Sequence, residues 1–403
     1  MTRLLLDLSH TSHTRALTGI QRLCRGLYAA LAAGKEDVVP VCFDPHEAAW
    51  RPLRPWERRA LQPPPGRVAA ARGARWPLAA RLAGRWRRWT ARGGLRPVTP
   101  PGENAALIEP EIFSPAVARV LPALLGAVSG PRVALFHDAT ALRLPELSPP
   151  KTVARYPAYL QELLQFDGVA AISDDSRAAL EDYWRWLEVA HPPPVLGLPL
   201  GIDAPAPSPF GHAVAPDAPP VVLSIGSLEG RKNHLALLAA CETLWARGRR
   251  FELRLIGLAH PHTGRPALER VRALQAAGRP ILYTGPASEA ELQRAYRACR
   301  FTVYPSLMEG FGLPVLESLS HGKPCICSAH GALGEAARDG GCVALDRVDT
   351  PALAGAIELL LSDPERLEAL AAAAHRRPLR TWAAYAAELT AWMRTLARRD
   401  APA

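Results

Sequence analysis

The stretch that decides the fold is Phe301-Thr-Val-Tyr-Pro-Ser-Leu-Met-Glu309-Gly-Phe-Gly-Leu-Pro-Val-Leu-Glu317. Its first four residues predict a buried strand, because they are aromatic or β-branched. Gly310 and Gly312 allow a tight turn and a close approach of the backbone to a ligand. Pro314 suits the first turn of a helix, where its missing N–H group costs nothing. The stretch therefore predicts a strand, a turn and a helix, the repeating unit of a parallel α/β fold.

The two carboxylates of this stretch are separated by the turn. Glu309 precedes the turn and Glu317 lies one turn into the helix, so we expect both to face the same cleft. One carboxylate can accept hydrogen bonds from sugar hydroxyls and the other from a ribose. The N–H groups around Gly312 and Leu313 would point from the helix N-terminus toward an anion or a hydroxyl. The alternative is a purely structural turn, in which the helix dipole favours an acidic residue.

Strands and helices alternate along the chain in two series, which predicts two doubly wound parallel α/β domains. The length of 403 residues fits two domains of about 150–200 residues each. We assign residues 1–203 to the first domain, 204–380 to the second, and 381–403 to a helix packing back toward the first; a proline-rich linker is expected at 191–220. Ligands bind beyond the carboxyl ends of strands in such sheets. The predicted strands are Leu4–Leu8, Val38–Phe43, Ala105–Ile108, Val133–Phe136, Gly168–Ile172, Val221–Ile225, Glu252–Ile256, Ile281–Tyr283, Phe301–Tyr304 and Pro324–Cys327.

Two adjacent cations follow the first strand of the second domain. The loop reads Gly226-Ser-Leu-Glu-Gly-Arg231-Lys232-Asn233. Arg231 can bind phosphate oxygens as a bidentate fork, and Lys232 can bind them as a point charge. The alternative is a solvated basic loop. Together with the two carboxylates, the loop would supply counter-charge for a diphosphate and acceptors for its sugar and ribose.

The second half of the chain resembles glycosyltransferase family 4 in order, spacing and strand context. The resemblance covers about residues 215–390, and it implies the GT-B fold: two doubly wound Rossmann-like domains that face a cleft. It also implies a nucleotide-sugar donor and retention of the anomeric configuration. Besides the two stretches above, the matching elements are Tyr283-Thr-Gly285-Pro, Leu292, Tyr296, Ala298, Tyr304-Pro-Ser306, Gly322-Lys-Pro324, Ser328, Gly331 and Glu335.

The resemblance also implies roles for individual residues. Catalytic roles are implied for His137, Arg231, Lys232 and Glu309. Contacts with the donor are implied for Gly19, Gly226, Ser227, Thr284, Gly285, Pro286, Gly310, Phe311, Gly312, Leu313 and Glu317. Contacts with the acceptor are implied for Asp138 and Ser173. For His137 and Ser173 the alternatives are a structural histidine at a strand end and a helix cap.

The first domain departs from the family pattern in the loop after its first strand. Many members have two adjacent glycines there, whereas this chain has Thr18-Gly19-Ile20-Gln21-Arg22. This loop is similar to a Thr-Gly-Ile-x-Arg subgroup that is common in bacterial polysaccharide assembly and includes many mannosyltransferases. The alternative is an ordinary helix N-cap at Thr18.

The expected reaction moves a sugar from a nucleotide diphosphate to a hydroxyl of a bacterial surface glycan or lipid-linked glycan. Arg231 and Lys232 would stabilise the leaving diphosphate, so neither a metal nor another cofactor is expected. The first choice of donor is GDP-mannose, and UDP- or dTDP-sugars are the alternatives. A nucleotide-sugar 2-epimerase of the same fold and a non-catalytic binding module are the competing functions.

Positive charge is concentrated in one segment. The net charge is +10, yet residues 51–96 alone contain thirteen arginines and one acid, Glu57. We expect an insertion at about 51–102 with a helix from Leu78 to Arg92, on which arginines flank a stripe of leucine and tryptophan. Such a helix suits an anionic membrane surface. The alternative is packing on its own domain, and no nucleic-acid-reading motif accompanies the segment.

The remaining features predict a cytoplasmic protein, attached peripherally to the inner face of the cell membrane if the basic helix binds lipid. The seven cysteines show no zinc-site spacing and are expected to fill the core in a reducing compartment. The start of the chain does not resemble a signal peptide, because its apolar run is only three residues long. No window reaches the roughly 18 apolar residues of a membrane-spanning helix.

Overall fold

The computed structural model describes residues 3–14, 16, 18–62, 74–90, 105–203 and 219–399. Within them the chain forms two α/β units, each built on one sheet. The first sheet has the strand order β3-β2-β1-β4-β5-β6-β7, and every pairing except β2 with β3 is parallel. The strands are β1 (Arg3–Asp7), β2 (Asp37–Asp44), β3 (Ala49–Pro52), β4 (Ala105–Glu109), β5 (Arg132–Phe136), β6 (Gly168–Ala171) and β7 (Val195–Gly197).

The second sheet has the order β10-β9-β8-β11-β12-β13, and all of its pairings are parallel. Two doubly wound sheets are therefore confirmed. Its strands are β8 (Val221–Ile225), β9 (Glu252–Ile256), β10 (Ile281–Tyr283), β11 (Phe301–Tyr304), β12 (Cys325–Ser328) and β13 (Cys342–Leu345).

Helices cover the faces of both sheets. In the first unit they are α1 (Gly19–Ala33), α2 (Pro55–Ala60), α3 (Leu78–Thr90), α4 (Pro115–Ala118), α5 (Leu121–Ala127), α6 (Thr140–Arg143), α7 (Pro150–Glu162) and α8 (Asp174–Trp186). In the second unit and beyond they are α9 (His234–Ala246), α10 (Arg265–Ala276), α11 (Glu289–Ala298), α12 (Leu313–Ser320), α13 (Gly331–Ala337), α14 (Thr350–Ser362), α15 (Pro364–Arg376) and α16 (Trp382–Met393).

The structure places a strand within each of two predicted segments. The predicted insertion at about 51–102 begins within β3, which pairs with β2, and Leu53 is buried in the core, while its status as an insertion stays a prediction. The predicted linker at 191–220 contains strand β7, which pairs with β6. The rest of that linker from 204 to 218, the domain boundary at 203/204, and the parts of the basic segment at 63–73 and 91–104 lie outside the described residues, as do residues 400–403.

Each sheet places its switch in strand order at the cleft. In the second sheet β8 lies beside β11, and in the first sheet β1 lies beside β4. A ligand-binding crevice forms where neighbouring strands send their connections to opposite sides. The cation loop follows β8 and the Glu309 loop follows β11, so adjacency of these two strands brings the two loops together.

Helix α16 returns to the first unit and lies against α1. A Cβ atom on Gly26 of α1 would lie 2.3 Å from the ring of Trp382, so the two helices touch where glycine leaves room. Beyond α16, the N–H group of Arg399 donates to Asp167, which also forms a buried bidentate ion pair with Arg132. The two units therefore share a continuous core through this returning helix.

Candidate active site

Arg231, Lys232 and Glu309 form a compact ion-paired cluster at the mouth of the second sheet. Glu309 Oε2 lies 2.7 Å from Arg231 Nη1, and Glu309 Oε1 lies 2.5 Å from Lys232 Nζ. Lys232 Nζ also contacts the hydroxyl of Tyr304 and lies 4.6 Å from the centre of its ring. Arg231 additionally donates to the carbonyl of Met308. The two loops that the sequence singled out are thus joined through their charged side chains.

The electrostatics of the cluster keep Glu309 ionised and Arg231 protonated near neutral pH. Burial alone would raise the pKa of Glu309, but Arg231 and Lys232 lower it to about 2. Burial would lower the pKa of Arg231, yet Glu309 and Glu229 raise it above its ordinary value. Burial lowers the pKa of Lys232 by more than Glu309 raises it, and Arg231 adds to the lowering. Lys232 is therefore the member that loses its charge first as pH rises.

Glu317 lies in a different environment from Glu309. Its Oε2 accepts a hydrogen bond of 3.1 Å from the Tyr296 hydroxyl, and its Oε1 forms an ion pair with Arg22 of the first unit. Burial raises the pKa of Glu317, although Arg22 and Tyr296 oppose the rise. Glu317 lines a large cavity between the units together with Arg22 and Tyr296, but Glu309 does not line it, so a single cleft for both carboxylates stays a prediction. Sequence reasoning quoted Arg22 and Tyr296 in motifs without giving them a role at the site.

The N-termini of two helices face each other across the cleft. Leu313 begins α12, and its side chain is the nearest group to the place where a Cβ of Gly19 would stand, at 3.8 Å. Gly19 is the first residue of α1. Gly312 precedes α12 with φ +96, a left-handed conformation that favours glycine. Because the first N–H groups of each helix have no intrahelical acceptor, this gap suits a negatively charged ligand.

Gly310 lies close to the backbone of the first unit. A Cβ atom on Gly310 would lie 2.3 Å from the carbonyl oxygen of His137. The Ser176 hydroxyl donates to the same carbonyl at 3.0 Å and to the carbonyl of Gly310 at 3.4 Å. A further bridge joins Glu335 to the N–H groups of Asp174 and Asp175 at the start of α8. The glycine is therefore needed for close approach of the first unit, a use that the sequence alone did not indicate.

His137, Asp138 and Ser173 of the first unit have structural partners. His137 is buried, its Nε2 lies 2.8 Å from the carbonyl oxygen of Pro110, and burial lowers its pKa, so the ring is neutral. Asp138 accepts from the N–H of Thr140 at the start of α6. Ser173 is the N-cap of α8 and accepts from the N–H of Ser176. His137 and Ser173 thus occupy the structural positions that were weighed as alternatives, and a role in binding stays a prediction for all three.

The other residues predicted to contact the nucleotide-sugar donor lie on the loops after β8, β10 and β11. Gly226 lies beside Tyr304 and Lys232, and Ser227 bonds to Glu229. Thr284, Gly285 and Pro286 directly follow β10, and the carbonyl of Gly285 accepts from Gly257. The side chain of Phe311 is buried in the core, which leaves its backbone as the part available to a ligand. Thr18 is at the N-cap position of α1, but its hydroxyl contacts Gln21 rather than the backbone.

Three buried acids at the switch point of the first sheet were missed by sequence reasoning. Asp7, Glu109 and Glu111 lie at the ends of β1 and β4. Glu111 accepts from the N–H groups of His10 and Thr11, which fixes the loop after β1. Burial raises the pKa of all three carboxyls, and Asp7 raises that of Glu109 further. The loop after β1 lies about 100 residues before Glu111 in the chain, so the cluster gives no local signal in the sequence.

One further group in the described part of the chain has the geometry of a metal site. The ligand atoms of His13, Cys42 and Glu57 lie within 4.8 Å of one another, and all three residues are buried. Both oxygens of Glu57 already pair with Arg51, at 2.6 and 2.7 Å. A cation there would have to displace the guanidinium, so the group reads as a structural ion pair.

Comparisons with known proteins agree with this architecture. Residues 210–377 match the family model "Glycosyl transferases group 1". The chain is 25% identical to the serotype-specific mannosyltransferase WbdA of Escherichia coli over 343 residues, which are 80% of this chain and 38% of that protein. It is 38% identical to the O-antigen chain mannosyltransferase B of Escherichia coli over 144 residues, 35% of this chain and 36% of that protein. The chain therefore spans well under half the length of these relatives.

Solved structures share the whole fold. A sucrose-phosphate synthase from Thermosynechococcus elongatus superposes with a TM-score of 0.67 at 20% identity and covers 98% of both chains. Anabaena HepE in complex with UDP superposes with a TM-score of 0.65 at 15% identity, over 98% of this chain and 100% of that one. The architecture is thus the GT-B fold, as predicted. The match to the family model falls on the second unit.

A first prediction concerns the contact at Gly310. Gly310→Ala should lower kcat/KM by at least about tenfold, because its Cβ would collide with the His137 carbonyl and move the two walls of the cleft apart. Steady-state kinetics of the purified variant measure this. The matched control is Gly355→Ala in α14, where an added Cβ meets nothing within 4 Å and activity should be unchanged. Wild-type kcat/KM in Gly310→Ala would show that the contact does not shape the site.

A second prediction concerns the charge of Lys232. Because its pKa is lowered, the alkaline fall in kcat/KM should begin below the ordinary lysine value of 10.5, as the neutral amine no longer holds phosphate. Lys232→Arg keeps its charge throughout and should shift the fall to higher pH, whereas Lys232→Ala should lose at least about tenfold at neutral pH. Superimposable pH profiles of the wild type and Lys232→Arg would assign the alkaline limb to another group.

Proposed function

We propose that this chain transfers a sugar, with mannose as first choice, from a nucleotide diphosphate to a hydroxyl of a bacterial surface glycan or lipid-linked glycan. The observation that carries the proposal is the ion-paired cluster of Arg231, Lys232 and Glu309 at the strand switch of a glycosyltransferase domain. It holds two cations for a diphosphate and one carboxylate for hydroxyl groups. The finer assignment to glycosyltransferase family 4, with retention of configuration, rests on the motifs in this half of the chain.

Ligand binding would exchange partners within the cluster. Two phosphate groups can take over the cations from Glu309, since a bidentate guanidinium binds phosphate as well as carboxylate. The freed carboxylate would then accept hydrogen bonds from the donor sugar. On the other side, Glu317 would accept from the ribose hydroxyls, with Tyr296 and Arg22 orienting it. The N–H groups at the starts of α1 and α12 would face the negative charge between them.

The proposed chemical step retains configuration by attack from the leaving-group side. The bond between the sugar C1 and the diphosphate oxygen breaks, and its electron pair departs with the diphosphate. The acceptor oxygen bonds to C1 from the same face, and its proton passes to the departing phosphate oxygen. Arg231 and Lys232 stabilise the charge that develops on the diphosphate, so the scheme uses neither a metal ion nor another cofactor. Glu309 positions the sugar rather than attacking it.

Mannose is the first choice because two relatives are mannosyltransferases by name. The Thr-Gly-Ile-x-Arg loop supports the same choice. A UDP-sugar is the second candidate, because the crystal structure of HepE, which shares the fold, contains UDP. We further propose action in the cytoplasm at the inner face of the membrane, where a lipid-linked acceptor would be reached. No helix among the described residues is long and apolar enough to cross a bilayer.

A thermal-shift panel of GDP, UDP, dTDP and ADP tests the donor. GDP should raise the unfolding temperature most, since a ligand at a hundred times its Kd stabilises by about 2.7 kcal/mol. NMR of a reaction with GDP-mannose and a mannose-terminated acceptor should then show a product of the donor's α configuration.

The outcomes separate the alternatives. Preferential stabilisation by UDP or dTDP would replace mannose as the donor sugar but keep the transferase. An epimer formed from donor alone would indicate the nucleotide-sugar 2-epimerase. The absence of stabilisation by every nucleotide would overturn the site assignment.

A further inference from the structure

Helix α3 exposes a continuous stripe of large apolar side chains. The exposed fractions are 67% for Leu78, 56% for Leu82, 64% for Trp86 and 79% for Trp89. At about 100° per residue these four side chains fall within an arc of about 80° on one side of the helix. Scattered exposed apolar residues are ordinary, but a contiguous stripe marks an interaction surface.

The opposite side of α3 is already packed on its own domain. Gly84 is buried, and a Cβ there would lie 2.8 Å from the Cβ of His46 and 3.2 Å from the N atom of Glu47. Arg87 pairs with Glu47 at 3.5 Å. The helix is therefore held with its small residues inward and its stripe outward. The sequence also allowed this helix to pack on its own domain. That packing uses the Gly84 face and leaves the apolar stripe without a partner among the described residues.

Arginines flank the stripe on one side. Arg81, Arg85 and Arg88 are exposed and lie at about 280–340° on the same helical projection, beside the apolar arc. The described residues 74–90 contain five arginines and no acid. Arginine side chains can lay their aliphatic stems on an apolar phase while the guanidinium reaches polar groups. The helix thus presents a tryptophan and leucine face edged by positive charge.

We propose that α3 docks this protein on an anionic lipid surface. The helix would lie in the plane of the interface with Trp86 and Trp89 among the headgroups and acyl chains, and with the arginines on lipid phosphates. Its 13 residues span about 20 Å, which suits lying on a bilayer rather than crossing it. An anionic lipid surface offers phosphates for the arginines and an apolar layer for the leucine and tryptophan stripe side by side.

The segment that leads into α3 is tied to the cleft. The ring of Trp76 stacks on that of His13 at 3.8 Å, and the N–H of Arg75 donates to the carbonyl of His13 at 2.8 Å. His13 belongs to the loop after β1, at the switch point of the first sheet. Docking through α3 would therefore hold this side of the cleft near the lipid. The link between docking and a lipid-linked acceptor rests on the proposed function, whereas the proposal that α3 binds lipid does not.

Vesicle co-sedimentation of the full chain tests the surface. Binding to vesicles of phosphatidylglycerol mixed with phosphatidylcholine should be strong at low salt, weaken as salt screens the arginines, and be at least about tenfold weaker on pure phosphatidylcholine. The double variant Trp86→Ala/Trp89→Ala and the triple variant Arg81→Glu/Arg85→Glu/Arg88→Glu should each lose at least about tenfold in partitioning. The matched control is Trp186→Ala on α8, a tryptophan that is 75% exposed, which should bind as the wild type does.

Two results would overturn the proposal: no binding to anionic vesicles at low salt, or an equal loss in Trp186→Ala and the double variant. Nucleotide-induced thermal stabilisation is measured on every variant in the same series. It should equal that of the wild type in the α3 variants, because α3 lies outside the donor site, and this shows that they are folded. A variant that loses vesicle binding but keeps nucleotide stabilisation therefore tests docking alone. A wild-type protein that no nucleotide stabilises would contradict the proposed reaction and leave docking unaffected.

Discussion

Lys232 is buried and Arg231 is half-buried beside the Glu309 carboxylate, where the loops after β8 and β11 meet. Removing a charge from water costs several kcal/mol unless it is paired, so the burial of Lys232 requires Glu309 against it. The pairing requires β8 to lie beside β11, which the doubly wound order provides. Arg231 also pairs with Glu229, at 3.3 Å, so a diphosphate would bind by taking over cations that are now paired with carboxylates. The strand order and the chemistry of the site therefore depend on the same interaction.

The first unit completes the site through contacts with the second unit. Gly310 meets the His137 carbonyl, Arg22 pairs with Glu317, and Glu335 accepts from the start of α8. The last two of these contacts join a helix of one unit to a helix of the other. The loop after β1 is held by the buried carboxylate of Glu111, not by a second glycine. This arrangement explains physically how a chain with only Gly19 at that position can keep the loop in place.

Most of the strands and the two charged loops that follow β8 and β11 could be predicted from the sequence because their signals are local. Phe301–Tyr304 is an apolar run before a glycine turn, and Arg231-Lys232 follows another strand directly. Strand β3 was missed because it lies at a sheet edge in an arginine-rich segment. It pairs with β2 in antiparallel orientation, and Glu57 neutralises its Arg51. Strand β7 was missed because prolines surround a three-residue strand.

The contacts that shape the cleft could not be predicted, because each of them joins residues far apart in the chain. Arg22 and Glu317 are brought together only when the two units meet. The same holds for the carboxyl groups of Asp7 and Glu109. Asp7 raises the pKa of Glu109 only because β1 lies next to β4. His137 shows the converse limit: its position after a strand was predicted correctly, but its ring bonds to the carbonyl of Pro110, a partner that no motif indicated.

The central claim is that the donor diphosphate takes the place of Glu309 on Arg231 and Lys232. Calorimetric titration of the wild type, Lys232→Ala and Glu309→Gln with the nucleoside diphosphate that stabilises the protein most tests it directly. Lys232→Ala should weaken binding by at least about tenfold, since a buried charge partner of the phosphate is lost. Glu309→Gln should bind at least as tightly as the wild type, because the competing carboxylate is gone, even though transfer slows. A loss of affinity in Glu309→Gln as large as that in Lys232→Ala would contradict the account.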